Sequence, residues 1–539
     1  MKRMLMILLL ALLVSGCART GGDQTDPEQT SLPAGKDVVY EQLKTPVTTI
    51  DPAYVQSDSE VMVAKLIFQG LVKENASGKV VSCIARSWEV SPDGLTYVFH
   101  LNKRVLFHNG KEITADDFKF SWERVLRLNA PSAYLFTNIQ GANEVLSGNQ
   151  TLAAGIVAVD KYTLKVTLVH PQDNFINSLT HPAGAVLDRY EVVEQGVKFA
   201  KPGTFKQPSL IPSGAGPFKF IEWVDSRSLT LGKNTQYFGT KPAIWRIEFL
   251  LNQPTGDAVW DFLAGKTHIL QDVTPGDMPP LSGQMGNLSL VEKPVLEVRY
   301  VGMNANLEPF TNKAVRDAVS YGLDPAKILK AARGKSGEVL SGYLTDYWYG
   351  QSNQESQESV VSHAYEKGLG AEMLELSGHP GGSGLPQITL YCGSAWEDQI
   401  VAQKIVENLS SLGFNIKIQA LSQKDLRKAV RNGEAAFYTT TFAARSTELD
   451  DFFHEQINSR WQKTIENPLW DQLLDNAVQQ KGAARLSLYR QLEREVVNDS
   501  RIRYLYTYKS AAAVSDRLAN FQLGPGNNVV FEELQFKNH

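Results

Sequence analysis

Nine histidines and three cysteines are the residues of this 539-residue chain best suited to acid–base, nucleophilic or metal chemistry. Their spacing supports none of it. His454-Glu455 is followed by Gln456-Ile457-Asn458, which breaks the H-E-x-x-H pattern of a zinc-bound helix. The chain has no G-x-S-x-G elbow to expose a serine, no phosphate-binding loop, no G-x-G-x-x-G turn and no S-x-x-K serving a nucleophile. His100 and His108 could approach across a hairpin, but solvated or core histidines account better for the dispersed set. Cys83 and Cys392 fit two buried thiols better than a disulfide, and no cysteine spacing resembles a zinc site. The reading that remains is binding without catalysis, with no cofactor and no metal.

The elements that would position a binding site are legible in two stretches. In the first, Ser91-Pro92-Asp93-Gly94 is a turn, because proline presets φ at its second position and glycine follows. Thr96 to Leu101 then alternates, with Tyr97, Phe99 and Leu101 on one face of a half-buried strand. Asn109-Gly110 is a second turn. Thr114 and Asp117 form a capping-box pattern with aspartate in place of Glu or Gln. Behind it Phe118, Ser121, Trp122, Val125 and Leu126 share a helix face. In the second stretch, Ile388 to Cys392 reads as a strand and Val401, Ile405, Leu409 and Leu412 as a helix face. Gly413 ends that helix, and Phe414, Ile416, Ile418 and Ala420 alternate as another strand. Strand, helix and strand in that order predict a parallel pair. A helix follows Thr311, and Asp324-Pro325 reads as an N-cap followed by proline at the first helical position. Trp88, Trp122 and Trp223 read as core residues.

The N-terminus is an address. Lys2 and Arg3 precede an apolar run from Met4 to Val14, too short for a bilayer that needs roughly 20 residues. Val14-Ser15-Gly16-Cys17 resembles a bacterial lipobox, in which the cysteine sulfur carries a diacylglycerol. Residues 1–16 are then a lipoprotein signal peptide. Residues 17–38, poor in apolar side chains, are a lipidated flexible stalk. Length suggests about three domains at ~100–200 residues each. Loss of residues 1–16 removes Lys2 and Arg3 and moves the formal charge from −4 to −6. That balance argues against nucleic acid, which requires a basic face.

The string Ser87-Trp88-x-Val90-Ser91-x-Asp93-Gly94-x-x-Tyr97-x-Phe99-x-Leu101, then Phe107-His108-Asn109-Gly110 and Thr114-Ala115-Asp116-Asp117, resembles the signature of the peptide/nickel class of extracytoplasmic solute-binding proteins. These are the oligopeptide- and dipeptide-binding receptors of ABC importers. Thr49-Ile50-Asp51-Pro52, Gln69-Gly70-Leu71-Val72, Ser213 to Phe218, Gly302-Met303-Asn304, Pro309-Phe310 and Val315-Arg316-Asp317-Ala318 resemble further blocks of that family, in the same order. The resemblance implies an α/β, two-lobed periplasmic-binding-protein fold with two crossing strands. Lobe 1 would be 39–295 with an inserted domain at about 70–200, lobe 2 would be 296–505, and 506–539 would return into lobe 1. The crossings would lie near Val298-Arg299-Tyr300-Val301 and Tyr504-Leu505-Tyr506-Thr507.

The resemblance also places the site. Receptors of this family carry an aspartate for the ligand's ammonium group in a W-x-A-D-x-x-x-P-type segment. Aligned on Phe452-Phe453, this chain has Arg445 there, and Leu449 in place of the proline. A guanidinium is a fork for carboxylates or phosphates and repels an ammonium. The implied ligand offers an anionic group, or is a peptide with a blocked or absent N-terminus. Two alternatives stand beside this: Arg445 pairs with Glu448 or another acid, or Glu448 or Asp450 faces the ligand instead. Tyr300 and Asn304 at the lobe junction, Thr441 and Ala443 before Arg445, and Gly214, where glycine permits close backbone approach, complete the expected lining. The implied function is capture of a peptide or peptide-like solute by a membrane-tethered, monomeric receptor and delivery to permease subunits. A receptor for a metal chelate or other non-peptide solute is one alternative. A sensing or chaperone lipoprotein, or a hydrolase, is another.

Overall fold

The two apolar-aromatic stretches around Tyr300 and Leu505 lie within the two longest strands, Leu288–Met303 and Ile502–Ser515. The computed structural model describes residues 37–539 except 44, 46, 173, 195–212, 225, 252–257, 341, 343–362, 444–452, 454–456, 460–462, 481, 525, 527 and 538–539. The two long strands pair antiparallel, from Leu288 opposite Ser515 to Gly302 opposite Ile502. The register shifts after Pro294, which has no N–H to give the ladder, and again after Arg299.

These two strands form the middle of an eleven-stranded sheet. On one side lie Phe437–Ala443, Ile388–Gly393 and Ile416–Leu421, and on the other Ile269–Leu270, Val38–Gln42, Arg246–Leu250, Ser228–Lys233 and Phe218–Val224, while Gly337–Val339 pairs with Ile502–Ser515. Ile388–Gly393 runs parallel to both Ile416–Leu421 and Phe437–Ala443, and the helix Trp396–Ser410 makes the expected crossover. Side chains of these central strands alternate between two cores. Val298, Tyr300, Ile502 and Tyr504 pack with Tyr438, Trp470 and Tyr489, whereas Val301, Met303, Leu505 and Tyr506 pack with Phe310, Leu390 and Val401. A third core joins Val39, Ile247 and Phe249 to Ala512 and Val514.

The motif-rich segment builds a separate layer. Ala85–Val90, Thr96–Leu101, Thr163–Thr167 and Ile156–Asp160 form an antiparallel sheet under the helix Ala115–Arg127. Tyr97, Phe99, Leu101, Phe118, Trp122, Val125 and Leu126 are all buried there. Trp88 and Trp223 are only half-buried against their cores. At the helix start the Asp117 carboxylate accepts from the Thr114 N–H at 2.9 Å and its hydroxyl at 2.7 Å. In lobe 2 the residue after Thr311 caps the helix Lys313–Gly322, as Asn312 accepts from the Ala314 N–H at 2.9 Å. Asp324 caps Pro325–Arg333 as its sequence indicates. Cys83 and Cys392 are both buried free thiols.

A buried ion pair ties this layer to the chain that enters it. Arg124 donates to both oxygens of Asp51, at 3.0 and 2.7 Å. Both side chains are almost fully shielded from solvent. Asp51 also caps its own turn by accepting from the Ala53 N–H at 3.0 Å. His108 makes a second tie. Its Nε2 lies 3.0 Å from the Gly216 carbonyl, and its backbone N–H donates to the Gly214 carbonyl at 2.8 Å.

Candidate functional site

A small cavity of about 60 Å³ opens beside the long strand Leu288–Met303, near Glu297. It is lined by Glu41 and Gln42 at the end of one strand, Asp58, Ser59 and Met62 on a helix, Gln271 and Asp272, Glu297 on the crossing strand, and Gly526 and Asn528 near the C-terminus. Four carboxylates and no basic side chain line it among the described residues. The carboxylates are held by neighbours. Gln271 donates to Glu41, Ser510 donates to Asp272 at 2.6 Å, and the Tyr508 hydroxyl donates to Glu297 at 2.7 Å.

Glu297 sits at the centre of this geometry. Its backbone carbonyl accepts from the Thr507 hydroxyl at 2.8 Å, and it stands opposite Ala443 in the sheet. Burial pushes its carboxyl above the usual carboxylate range, opposed by hydrogen bonds from Tyr508 and Thr441 and by the positive field of Arg299. This strand thus places an acid beside the cavity, held by hydrogen bonds from both neighbouring strands.

A second set of charges lies behind it. Arg299 donates to Asp398 at 2.6 Å, and Gln423 donates to the other oxygen of Asp398 at 3.0 Å. Arg333 donates from Nε to Glu397 at 2.9 Å, and Tyr506 donates to the same carboxylate at 3.0 Å. The Arg333 guanidinium stacks over Tyr508 with 3.7 Å to the ring centre. These bonds anchor the first turn of the helix Trp396–Ser410 to the crossing strands. Paired charges of this kind fix geometry, since each buried ion has its counter-ion and further donors.

The expected site residues separate into distinct environments. Thr441 is half-buried, stands opposite Arg299 and bonds to Glu297, so it belongs to the junction. The Ala443 backbone lies opposite Glu297. Tyr300 is buried, edge-on to Tyr438, with its carbonyl accepting from Thr439 at 3.0 Å. Asn304 follows the end of the strand farthest from the cavity and bonds there to the Gly433 carbonyl at 3.0 Å. The close approach at Gly214 is to the protein itself: a Cβ there would lie 2.0 Å from the Ile67 carbonyl oxygen. Arg445, Glu448 and Asp450 lie outside the described residues, as does Cys17. Glu41, Gln271, Asp272 and Glu297 escape sequence reading. For Glu297 and Arg299 a signal exists, namely charges in an otherwise apolar strand.

This two-lobed α/β architecture, with a cavity against the crossing strands, is that of an extracytoplasmic solute receptor. The chain belongs to the bacterial extracellular solute-binding proteins, family 5, whose model matches residues 79–463. It is 24% identical over 531 residues to the periplasmic oligopeptide-binding protein OppA of Escherichia coli, covering 94% of this chain and 93% of that one. It is also 24% identical over 520 residues to the dipeptide-binding protein DppE of Bacillus subtilis, covering 93% and 92%. Among solved structures it resembles the Listeria monocytogenes transporter substrate-binding protein CtaP, with a TM-score of 0.79, 18% identity and coverage of 93% and 100%. Haemophilus influenzae OppA in complex with the peptide RPPGFSPFR gives 0.76, 20% identity and coverage of 94% and 99%.

Proposed function

We propose that this protein captures a peptide or peptide-like solute between its lobes, without chemistry, and hands it to the membrane subunits of an ABC importer. The observation that carries the reading is the acidic cavity against Glu297, at the junction through which both long strands pass. A cationic group of the solute meets these carboxylates, and an anionic group meets Arg445. Lobe 1 is 39–295 with the insert at about 70–200, lobe 2 is 296–505, and 506–539 completes lobe 1. Moving such a receptor from 1:99 to 99:1 closed requires a ~10⁴-fold preference for the closed state, about 5.5 kcal/mol. Desolvated hydrogen bonds to a peptide backbone and charge pairing at its ends are of that order.

The test is Glu297→Gln, titrated calorimetrically with short lysine-bearing peptides. We expect affinity to fall about tenfold or more, since removing one charge from a desolvated pair costs roughly 2 kcal/mol or above. Unchanged affinity overturns the cationic assignment of the cavity. Turnover of peptides by the purified protein overturns capture without chemistry.

Cys17 is the proposed lipid attachment point, giving a body tethered to the outer face of a bacterial membrane. Two or more acyl chains hold stably at ~0.8 kcal/mol per buried CH₂. Cys17→Ser is therefore expected to move the protein from the membrane to the soluble fraction while solute affinity stays unchanged. Retention in the membrane fraction counts against the anchor.

A further inference from the structure

We infer that Trp396 is an aromatic wall of the ligand cleft on lobe 2, selecting solutes with a flat or bulky apolar side chain; this rests on the capture function proposed above. The strands Ile388–Gly393, Ile416–Leu421 and Phe437–Ala443 run parallel. The carboxyl end of the last stands opposite Glu297, at the junction with lobe 1. Crevices at the carboxyl ends of parallel strands are where α/β folds take ligands. Trp396 follows the first of these strands by three residues and opens the helix Trp396–Ser410.

Its side chain is 51% exposed, whereas Trp122 and Trp470 are fully buried. Helical Cα–Cβ bonds tilt toward the N-terminus, so the side chain of a first helical residue leans past the helix start. Here that direction is the carboxyl edge of the sheet. The backbone beneath is unusually well held. The next two residues, Glu397 and Asp398, are bonded by Arg333, Tyr506, Arg299 and Gln423. An exposed indole on so firmly anchored a turn loses little freedom when it meets a ligand, which is how rigid aromatic contacts gain selectivity.

The experiment exposes the purified mature protein to an equimolar synthetic library of di- to pentapeptides and identifies the retained peptides by native mass spectrometry. Wild type is expected to enrich peptides carrying Phe, Tyr, Trp or Leu. Trp396→Ala is expected to lose that enrichment about fivefold or more, and Trp396→Phe to keep most of it. Equal melting temperatures of the three proteins exclude loss through unfolding, as expected for a half-exposed side chain. If wild type retains peptides and Trp396→Ala retains the same set in the same proportions, Trp396 has no such role while peptide capture stands. If wild type retains no peptide, the peptide reading and this inference fall together.

Discussion

Replacing Asp51 with alanine is expected to cost about 3–5 kcal/mol of stability, because it leaves the Arg124 guanidinium buried without its counter-ion. Both oxygens of Asp51 accept from Arg124, and neither side chain can turn to water in place. The Ala53 turn loses its cap in the same step. Since Arg124 belongs to the inserted layer and Asp51 to the chain entering it, the loss should appear as detachment of that layer. Hydrogen exchange across Thr96–Leu101 and Ala115–Arg127 should accelerate more than exchange in lobe 2. Denaturant titration gives the magnitude. A double replacement, Asp51→Leu with Arg124→Met, should recover much of the stability, since a hydrophobic pair of similar volume avoids the desolvation of two ions. A single variant within 1 kcal/mol of wild type would contradict this account.

The second large effect is expected in acid. Burial holds the His108 imidazole down to about 4 from its ordinary 6.5, with Lys219 adding to the depression and the bond to the Gly216 carbonyl opposing it. In the unfolded chain the histidine binds its proton near 6.5, and in the folded chain only near 4. Between those values the unfolded form gains the proton first, so stability is complete above pH 6.5 and falls as pH falls toward 4. The loss amounts to about 3 kcal/mol at 1.36 kcal/mol per pKa unit. Chemical denaturation at pH 7 and pH 4.5, compared between wild type and His108→Gln, isolates it from the carboxylates. The amide can still donate to Gly216 but does not titrate. A pH dependence that is identical in the two proteins would refute it.

Much of the fold was legible because local patterns agreed with tertiary burial. Tyr97, Phe99 and Leu101 alternate and are buried together, and Thr114 with Asp117 marks the start of a helix whose apolar face is buried. The crossover from Ile388–Gly393 through a helix to Ile416–Leu421 followed from periodicity alone. The cavity was not legible, because it has no local spacing. Glu41, Asp58, Gln271, Asp272 and Glu297 come from four segments that only the completed fold assembles. At Gly214 the missing side chain makes room for the Ile67 carbonyl of the protein itself. The family resemblance puts Asn304 with Tyr300 at the lobe junction. In the structure the strand runs from Glu297, beside the cavity, away toward Asn304, and each residue advances it by ~3.3 Å.

The strand Ile502–Ser515 has a consequence for synthesis. In the sheet order it stands between Leu288–Met303 and Ile269–Leu270, which in turn pairs with Val38–Gln42. Until residue 515 has left the ribosome, the first-made half of the protein lacks the strand that completes its sheet. Leu288–Met303, Ile388–Gly393, Ile416–Leu421 and Phe437–Ala443, on its other side, are all made before it. Domains commonly fold in the order in which they are translated. This one reverses the order: the half begun first finishes last, and until then it presents open sheet edges of the kind that chaperones and export factors guard.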